Sequence, residues 1–552
     1  MKISLVSTGL ITIAIAFVHA ADVTYSVIAF PGSDKVGVQV AGQDYPLQRS
    51  PMHANLFTGI APFAAEYRYT ILNSQGQAQP EETTRHLDNA ATTTGNEFFG
   101  RSKTVYDIPA LPRAYNPIYP ALASDMDRDN EIATLILRAN MDAIQEFLDT
   151  PTAEHNFAQV YNMTYINHHT VYNFENAGLK NAGQSSKDKG KQSYKVKFNK
   201  FDKSTKKDHL FGRRAFKLRA GATDPTLIRE KLMMDSLSAS GVATLNSHWV
   251  RLFINDEPFG LYLMTDDSFK GFTDNLIHGG EKMNSTGVTI KGNAMDQDTE
   301  ANLVYNGPSA ANYDHNDVYI LEDKGRDPTI SKENYMAPLI DFMDRLSKTV
   351  IGTDAQTPGT ITDLMDSAEH TMIHAAMSFL AGSWDGFWYQ ASNYYLNQNR
   401  ETKKWYLITY DFDETFGNGL EDIELMTTPY QNYQRPGSKR PLIDVFIKSP
   451  YYEPKFQEIL KTLIKRFYNP RVIKPRLEAW TAMLKEDIAW DRSLPFRSPG
   501  DKEKFTVNDL NNALVTVGSR MGVLEWISNR TSSVCQQLNF NDTDDLPALP
   551  SA

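Results

Sequence analysis

The sequence predicts an α+β protein in which a small all-β sandwich precedes a larger unit, strand-rich in its first half and helix-rich in its second. Three observations support this. Short alternating apolar runs fill residues 21–107. A proline-rich stretch at 108–120, with Pro109, Pro112, Pro117 and Pro120, reads as a linker. In the unit expected over 121–532, apolar residues alternate at strand spacing up to about residue 330 and recur at helical spacing beyond it.

Composition narrows the function. The chain has 552 residues, 41% hydrophobic and 22% charged, which is enough apolar material for a large core. Its net charge of −11 opposes a general nucleic-acid or anionic-membrane binder. A single cysteine, Cys535, excludes an intrachain disulfide and a cysteine-cluster metal site. Residues 1–20 read as a secretory signal peptide: Lys2, an apolar run from Leu5 to Val18, then Val18-His19-Ala20. That run is short for a bilayer span, so the mature chain is expected to be secreted, with no transmembrane segment. Sequons at Asn162, Asn284, Asn529 and Asn541 are the expected glycosylation sites. Residues 533–552 read as an acidic disordered tail without the apolar end of a lipid-anchor signal.

The elements follow from local pattern. VTYSVIAF and AEYRYTIL alternate as strands, and KVGVQV with QDYPL reads as a hairpin. ATLILRA is a strand, MDAIQEFLDT a helix, and QVYNMTYI and TVYNFENA are strands again. The lysine-rich segment 184–208 reads mostly as a solvated face around the strand SYKVKF. The strand RRAFKLRAG precedes a helix expected to start at Asp224-Pro225 and stop at Gly241. HWVRLFIN and GLYLMTDD form a hairpin, residues 275–315 read as a loop-rich insertion, and SNYYLNQN and KWYLITYDFD form a strand pair among helices.

That last pair carries the sharpest chemical signal. Asp411 and Asp413 follow an apolar strand, where two carboxylates can meet one hard cation such as Mg²⁺ or Mn²⁺. Asn393 offers a neutral oxygen to the same ion, and Asp385 on the preceding loop is placed to orient or deprotonate a hydroxyl. Lys217, Lys195 and Lys197 are candidates to hold phosphates, with Glu230 as the acidic partner of a lysine. Asn176-Ala-Gly and Asn181-Ala-Gly are candidate substitutes for a glycine-rich phosphate loop. His370 and His374 have the i,i+4 spacing of zinc ligands but lack the adjoining glutamate, so they are expected to be packed.

The chain resembles the spore-coat CotH family, and in particular its secreted fungal members, over most of residues 125–530. SYKVKF, FKLRAGATDPTLIREKLMMDSLSASG, VRLFINDEPFGLYLM, GSWDGFWYQASNYYL and WYLITYDFDETFGNG carry the resemblance. It implies an atypical protein-kinase-like fold with a strand-rich N-lobe and a helix-rich C-lobe. It also implies ATP with Mg²⁺ or Mn²⁺, and a protein substrate phosphorylated on Ser or Thr. By that resemblance Asp385 matches the catalytic Asp, Asn393 the metal-binding Asn and Asp411 the metal-binding Asp, with Asp413 assisting. The eight-residue spacing from Asp385 to Asn393 departs from the shorter spacing of ordinary kinases.

Two other functions compete. Fungal relatives in the family resemble adhesins that bind a host cell-surface chaperone, and Gly292, Asn293, Ala294, Met295 and Asp296 are the candidate receptor-binding loop. LITYDFDET also fits an aspartyl-phosphate phosphohydrolase, with Asp411 as nucleophile, although the downstream strand ends that chemistry needs are missing from the pattern. The resemblance places the protein in the secretory lumen, or on a spore or cell surface.

Overall fold

The computed structural model describes residues 22–550 apart from 33, 74, 76, 203–207, 269–270, 295–298, 314–317 and 421. The expected signal peptide, Met295 and Asp296 therefore lie outside the described residues.

The chain divides into two units, the first ending at Thr104 and including His168–Thr170. The regular elements of the first unit among the described residues are strands: β1 (Asp22–Ile28), β2 (Lys35–Val40), β3 (Gln43–Ser50), β4 (His53–Pro62), β5 (Glu66–Leu72), β6 (Ala78–Pro80), β7 (Arg85–His86) and β8 (Thr93–Phe98). They form one path, β6-β5-β2-β3-β4-β1-β8, with β7 beside β5. Alternation buries Tyr25, Val27, Val36, Val38 and Tyr69 on one side. The buried Arg85 is held by Glu81 at 2.6 Å and Glu97 at 3.1 Å, and Tyr67 and Tyr69 donate to Glu97, so each charge is partnered.

The second unit opens with a closed barrel. β9 (Ala133–Ala139), β10 (Ala158–Ile166), β11 (Val171–Ala182), β12 (Ser193–Lys197), β13 (Ala215–Arg219), β14 (Ser247–Ile254) and β15 (Glu257–Asp266) close in the order β10-β11-β12-β13-β15-β14-β9. Period-two alternation sends Tyr194, Val196, Phe216 and Leu218 into the barrel core. It turns Lys195, Lys217 and Arg219 outward. Helix α1 (Met141–Asp149) follows β9, and α2 (Arg229–Ala239) follows β13.

A second, antiparallel sheet comes next, ordered β17-β16-β18-β19, from β16 (Thr286–Gly292), β17 (Tyr319–Asp323), β18 (Tyr394–Asn399) and β19 (Trp405–Thr409). The helices of this half are α3 (Phe272–Ile277), α4 (Met336–Ser347), α5 (Ala368–Ala381), α6 (Pro441–Ile447), α7 (Glu453–Arg466), α8 (Pro470–Ser493) and α9 (Val523–Gln537); α3, α4 and α5 pack on this sheet, and α8 packs on the barrel strands β14 and β15. The architecture is a mixed α+β fold with several sheets.

Four expectations are corrected. The 108–120 segment is packed: Leu111, Tyr115 and Ile118 lie on the core, and the Ala114 and Ile118 amides donate to the Ala239 and Gly241 carbonyls. The 275–315 region contains β16, which pairs on both edges because VTI is β-branched and apolar. Helix α2 starts at Arg229, because Leu227 takes a left-handed φ of 58° that no helix accommodates. Helix α9 continues to Gln537, and the segment after it is tied down by Lys465–Asp545 and Arg466–Asp544 ion pairs at 2.6 and 2.7 Å.

Candidate functional site

The site forms where β18 begins and β19 ends. The Tyr410 amide donates to the Asn393 carbonyl at 3.0 Å, which brings the two strand ends together. Asn393 and Asp411 both take left-handed backbone, with φ of 56° and 65°. Among residues with a Cβ, Asn and Asp tolerate that region best. Positive φ at two neighbouring polar residues aims both side chains out of the sheet register.

Asn393 holds Asp385. Its Nδ2 donates to the Asp385 carbonyl at 2.9 Å and to Oδ2 at 2.8 Å. Burial, together with the charges of Asp411 and Asp413, pushes the Asp385 carboxyl up to about 7 against the opposing hydrogen bond from Asn393. A carboxylate in that range can exchange a proton near neutrality.

Asp411 and Asp413 converge on one guanidinium. Arg219 Nη2 lies 2.5 Å from Asp411 Oδ1 and 3.0 Å from Asp413 Oδ1, and its Nε lies 2.5 Å from Glu230 Oε2. Thr223 Oγ1 donates to Asp413 Oδ2 at 2.6 Å. Asn418 Nδ2 donates to the carbonyls of both Asp413 and Thr223. Burial works against ionisation of Asp411, yet Arg219 and the hydrogen bonds hold it well below the usual carboxylate range. Burial and neighbouring carboxylates push Asp413, Glu230 and Glu414 upward. Glu414 Oε2 is buried without a hydrogen-bond partner among the described residues.

The expected lysine–glutamate pair is corrected: Glu230 pairs with Arg219, two residues beyond Lys217 on the same outward face of β13. Alternation in FKLRAG marked both positions, so Arg219 was legible from the same signal. Lys217 instead shares Asp267 with Lys195, at 3.6 and 2.5 Å. Lys195 and Lys217 are direct cross-strand neighbours, an unfavourable like-charge pair that the buried Asp267 offsets. Lys197 lies on the same face, exposed. Lys291 of β16, which no motif marked, adds a further cation near Lys217 and Asp411.

These donors fit a hard divalent ion: all are oxygens, carboxylates are in excess, and two carboxylate oxygens meet at one cationic atom. Among the described residues no three His, Cys, Asp or Glu side chains form a cage. Such an ion would therefore have Asp411 and Asp413 as its protein ligands.

Other candidates lie elsewhere. Gly292 and Asn293 are buried at the end of β16 rather than exposed on a loop, and a Cβ on Gly292 would meet the Tyr394 ring; Ala294 follows, half-buried. Asn176 and Asn181 lie within β11, and Asn181 is buried and donates to the Pro151 carbonyl, so neither forms a phosphate loop. His370 and His374 are core residues, bonded to the Ala243 amide and Thr409 Oγ1, and burial lowers both. Asn284, Asn529 and Asn541 are exposed and Asn162 is half-buried in β10. No helix among the described residues is long and apolar enough to cross a membrane.

Fold and site together define an α+β protein whose outer barrel face presents a row of cations to a cluster of carboxylates. The family described as CotH kinase protein matches residues 179–506, more than half of the chain, and the protein belongs to that family. The chain is 26% identical to "Invasin CotH3" of Rhizopus delemar, aligned over all of this chain and 90% of that protein. It is 25% identical to "Invasin CotH2" over the same shares, and 26% identical to "Spore coat protein homolog 1", covering 96% of this chain and 84% of that protein, both from the same organism.

Proposed function

We propose that the protein is an atypical protein kinase of the secretory pathway or cell surface, transferring the γ-phosphate of ATP to Ser or Thr of a coat, wall or secreted protein. One observation carries this reading: Arg219 joins Glu230 of α2 to Asp411 and Asp413. A basic residue on an N-lobe strand, paired to a helix glutamate and facing a metal-binding aspartate, is the arrangement protein kinases require. The barrel together with α2, which connects β13 to β14, then corresponds to an N-lobe and the helical half to a C-lobe.

Asp385, held by Asn393, accepts the proton of the attacking hydroxyl as its oxygen bonds to the γ-phosphorus and the bond to the β-phosphate oxygen breaks, releasing ADP. Lys195 and Lys217 attract the phosphate chain. Mg²⁺ or Mn²⁺ on Asp411 and Asp413, when bound, neutralises charge on the phosphates. The aspartyl-phosphate alternative has less support, since no strand follows β19 among the described residues and β19 is the edge of an antiparallel sheet.

Incubation with γ-labelled ATP and Mn²⁺ tests the reading. Transfer to a Ser/Thr protein acceptor or to the chain itself is expected, with a rate that rises through about pH 7 as Asp385 ionises. Asp385→Ala and Asp411→Ala should each lower it about a hundredfold or more. Transfer that persists in both variants sinks the assignment.

A second reading is a host-cell adhesin, favoured by relatives named as invasins. Absence of nucleotide binding, together with saturable binding to a host cell-surface chaperone, would select it.

A further inference from the structure

We propose that Lys291 and Lys217 form the two walls of a binding site for a phosphate chain, with Lys291 as the cation held ready for that anion. The identity of the natural ligand as a nucleoside triphosphate rests on the kinase reading, but the site itself rests on separate observations.

Lys291 is the penultimate residue of β16, beside Tyr395 of β18 and Ile320 of β17. Its ammonium lies 5.6 Å from the centre of the Tyr410 ring, which stacks on Tyr395 at 4.4 Å. Among the described residues it has no ion-pair partner within 4.0 Å and no hydrogen bond, which sets it apart from several other lysines of the same unit. Lys195 and Lys217 share Asp267, Lys191 has Asp491 at 2.7 Å, and Lys189 has Asp501 at 2.7 Å. The charges that act on Lys291 are those of Lys217, Asp411, Glu322 and Asp267.

Asp267 is thus taken by Lys195 and Lys217, while Lys291 feels Asp411, Glu322 and Asp267 only at a distance and has the Tyr410 face as its near neighbour. Burial and the charge of Lys217 hold the Lys291 ammonium below its ordinary range, so the free protein pays for keeping this cation in place. A face-on aromatic contact recovers only part of that penalty. A polyanion lying between Lys217 and Lys291 supplies the missing countercharge. The ligand class is therefore a di- or triphosphate chain rather than a carboxylate or a neutral sugar, because several closely spaced negative oxygens must serve two ammonium groups at once.

The test uses the full chain in EDTA, titrated calorimetrically with inorganic tripolyphosphate, ATP and adenosine. Wild type should bind the first two and not the third. Lys291→Met should weaken both by the same factor, about tenfold or more, with a higher Tm because an unpaired charge leaves the interior. Lys291→Arg should keep both affinities within a few-fold, and Lys217→Met should match Lys291→Met in its loss. If Lys291→Met does not fold, Lys291→Gln provides the same comparison. Tripolyphosphate affinity unchanged in Lys291→Met, no binding by wild type, or a loss for ATP alone overturns the proposal. Binding that behaves as expected without any label transfer would instead end the kinase reading and leave the phosphate site standing.

Discussion

Arg219 satisfies three carboxylates with one planar fork, and no other residue type can do that from a single position. Removing it leaves Asp411, Asp413 and Glu230 facing one another across a low-dielectric gap. Arg219→Met should therefore cost about 3 kcal/mol in urea unfolding at pH 7.5. The loss should shrink at pH 5, because Asp413, pushed up to about 6, then carries a proton and repels Asp411 less. Equal losses at the two pH values would mean that Arg219 acts through packing alone. Local pattern reached Asp385, Asn393, Asp411 and Asp413 because they fall within one strand pair and its flanking loops. The outward position of Arg219 was legible as well, but its carboxylate partners were not, and Lys291 escaped local pattern altogether. Their partners lie on other elements, and alternation shows which way a strand residue points without showing what it meets.

The segment joining β13 to α2 converts barrel geometry into site geometry. It leaves β13 at Arg219, turns at Gly221 with φ of 59°, sends Thr223 to Asp413, and is locked by Asp224. Asp224 accepts from the Thr226, Ile228 and Arg229 amides and pairs with the fully buried Arg229 at 2.6 Å. Asp224-Pro225 has the local pattern of a helix start. The aspartate instead caps a tight turn that comes before the helix. Asp224→Ala removes both the cap and the countercharge, so a loss of about 4 kcal/mol is expected. Asp224→Asn keeps an acceptor for the amides and should lose clearly less. Because Glu230 follows Arg229 directly, both variants should also weaken Mn²⁺-dependent transfer. Unfolding curves and transfer rates on the two variants check the ordering, and identical stability for Ala and Asn would reject the amide cap and leave the buried ion pair as the sole cause. The barrel strands were legible for a simple reason: HWVRLFIN and GLYLMTDD state their own length and turn. By contrast β16 hid inside a Gly- and Asn-rich stretch, where turn residues on both sides outweighed three β-branched positions.

At the scale of the molecule, a net charge of −11 conceals two opposed fields: a row of lysines on the barrel face and a group of carboxyls at the end of β19. Bringing them together takes contacts such as Arg219 to Asp411, 192 residues apart in sequence, which no local period can announce. The group of carboxyls has a thermodynamic consequence. Asp385 titrates near 7 in the folded chain against an ordinary 3.8, so the folded state holds a proton that the unfolded state releases. That contribution is fully present below about pH 4 and is lost as pH rises through about 7; Asp413, Glu230 and Glu414 push in the same direction. In EDTA, the second unit should therefore lose part of its stability between pH 5.5 and 8. A divalent ion binds the ionised form, so saturating Mn²⁺ should restore more stability at pH 8 than at 5.5. A free concentration a hundredfold above Kd corresponds to about 2.7 kcal/mol. Thermal unfolding at both pH values, with and without Mn²⁺, measures the increment, and the Asp411→Asn, Asp413→Asn double variant should abolish it. An increment that is the same at both pH values, or that survives in the double variant, would place the ion somewhere other than these carboxylates. It would also separate the raised titration of Asp385 from metal binding.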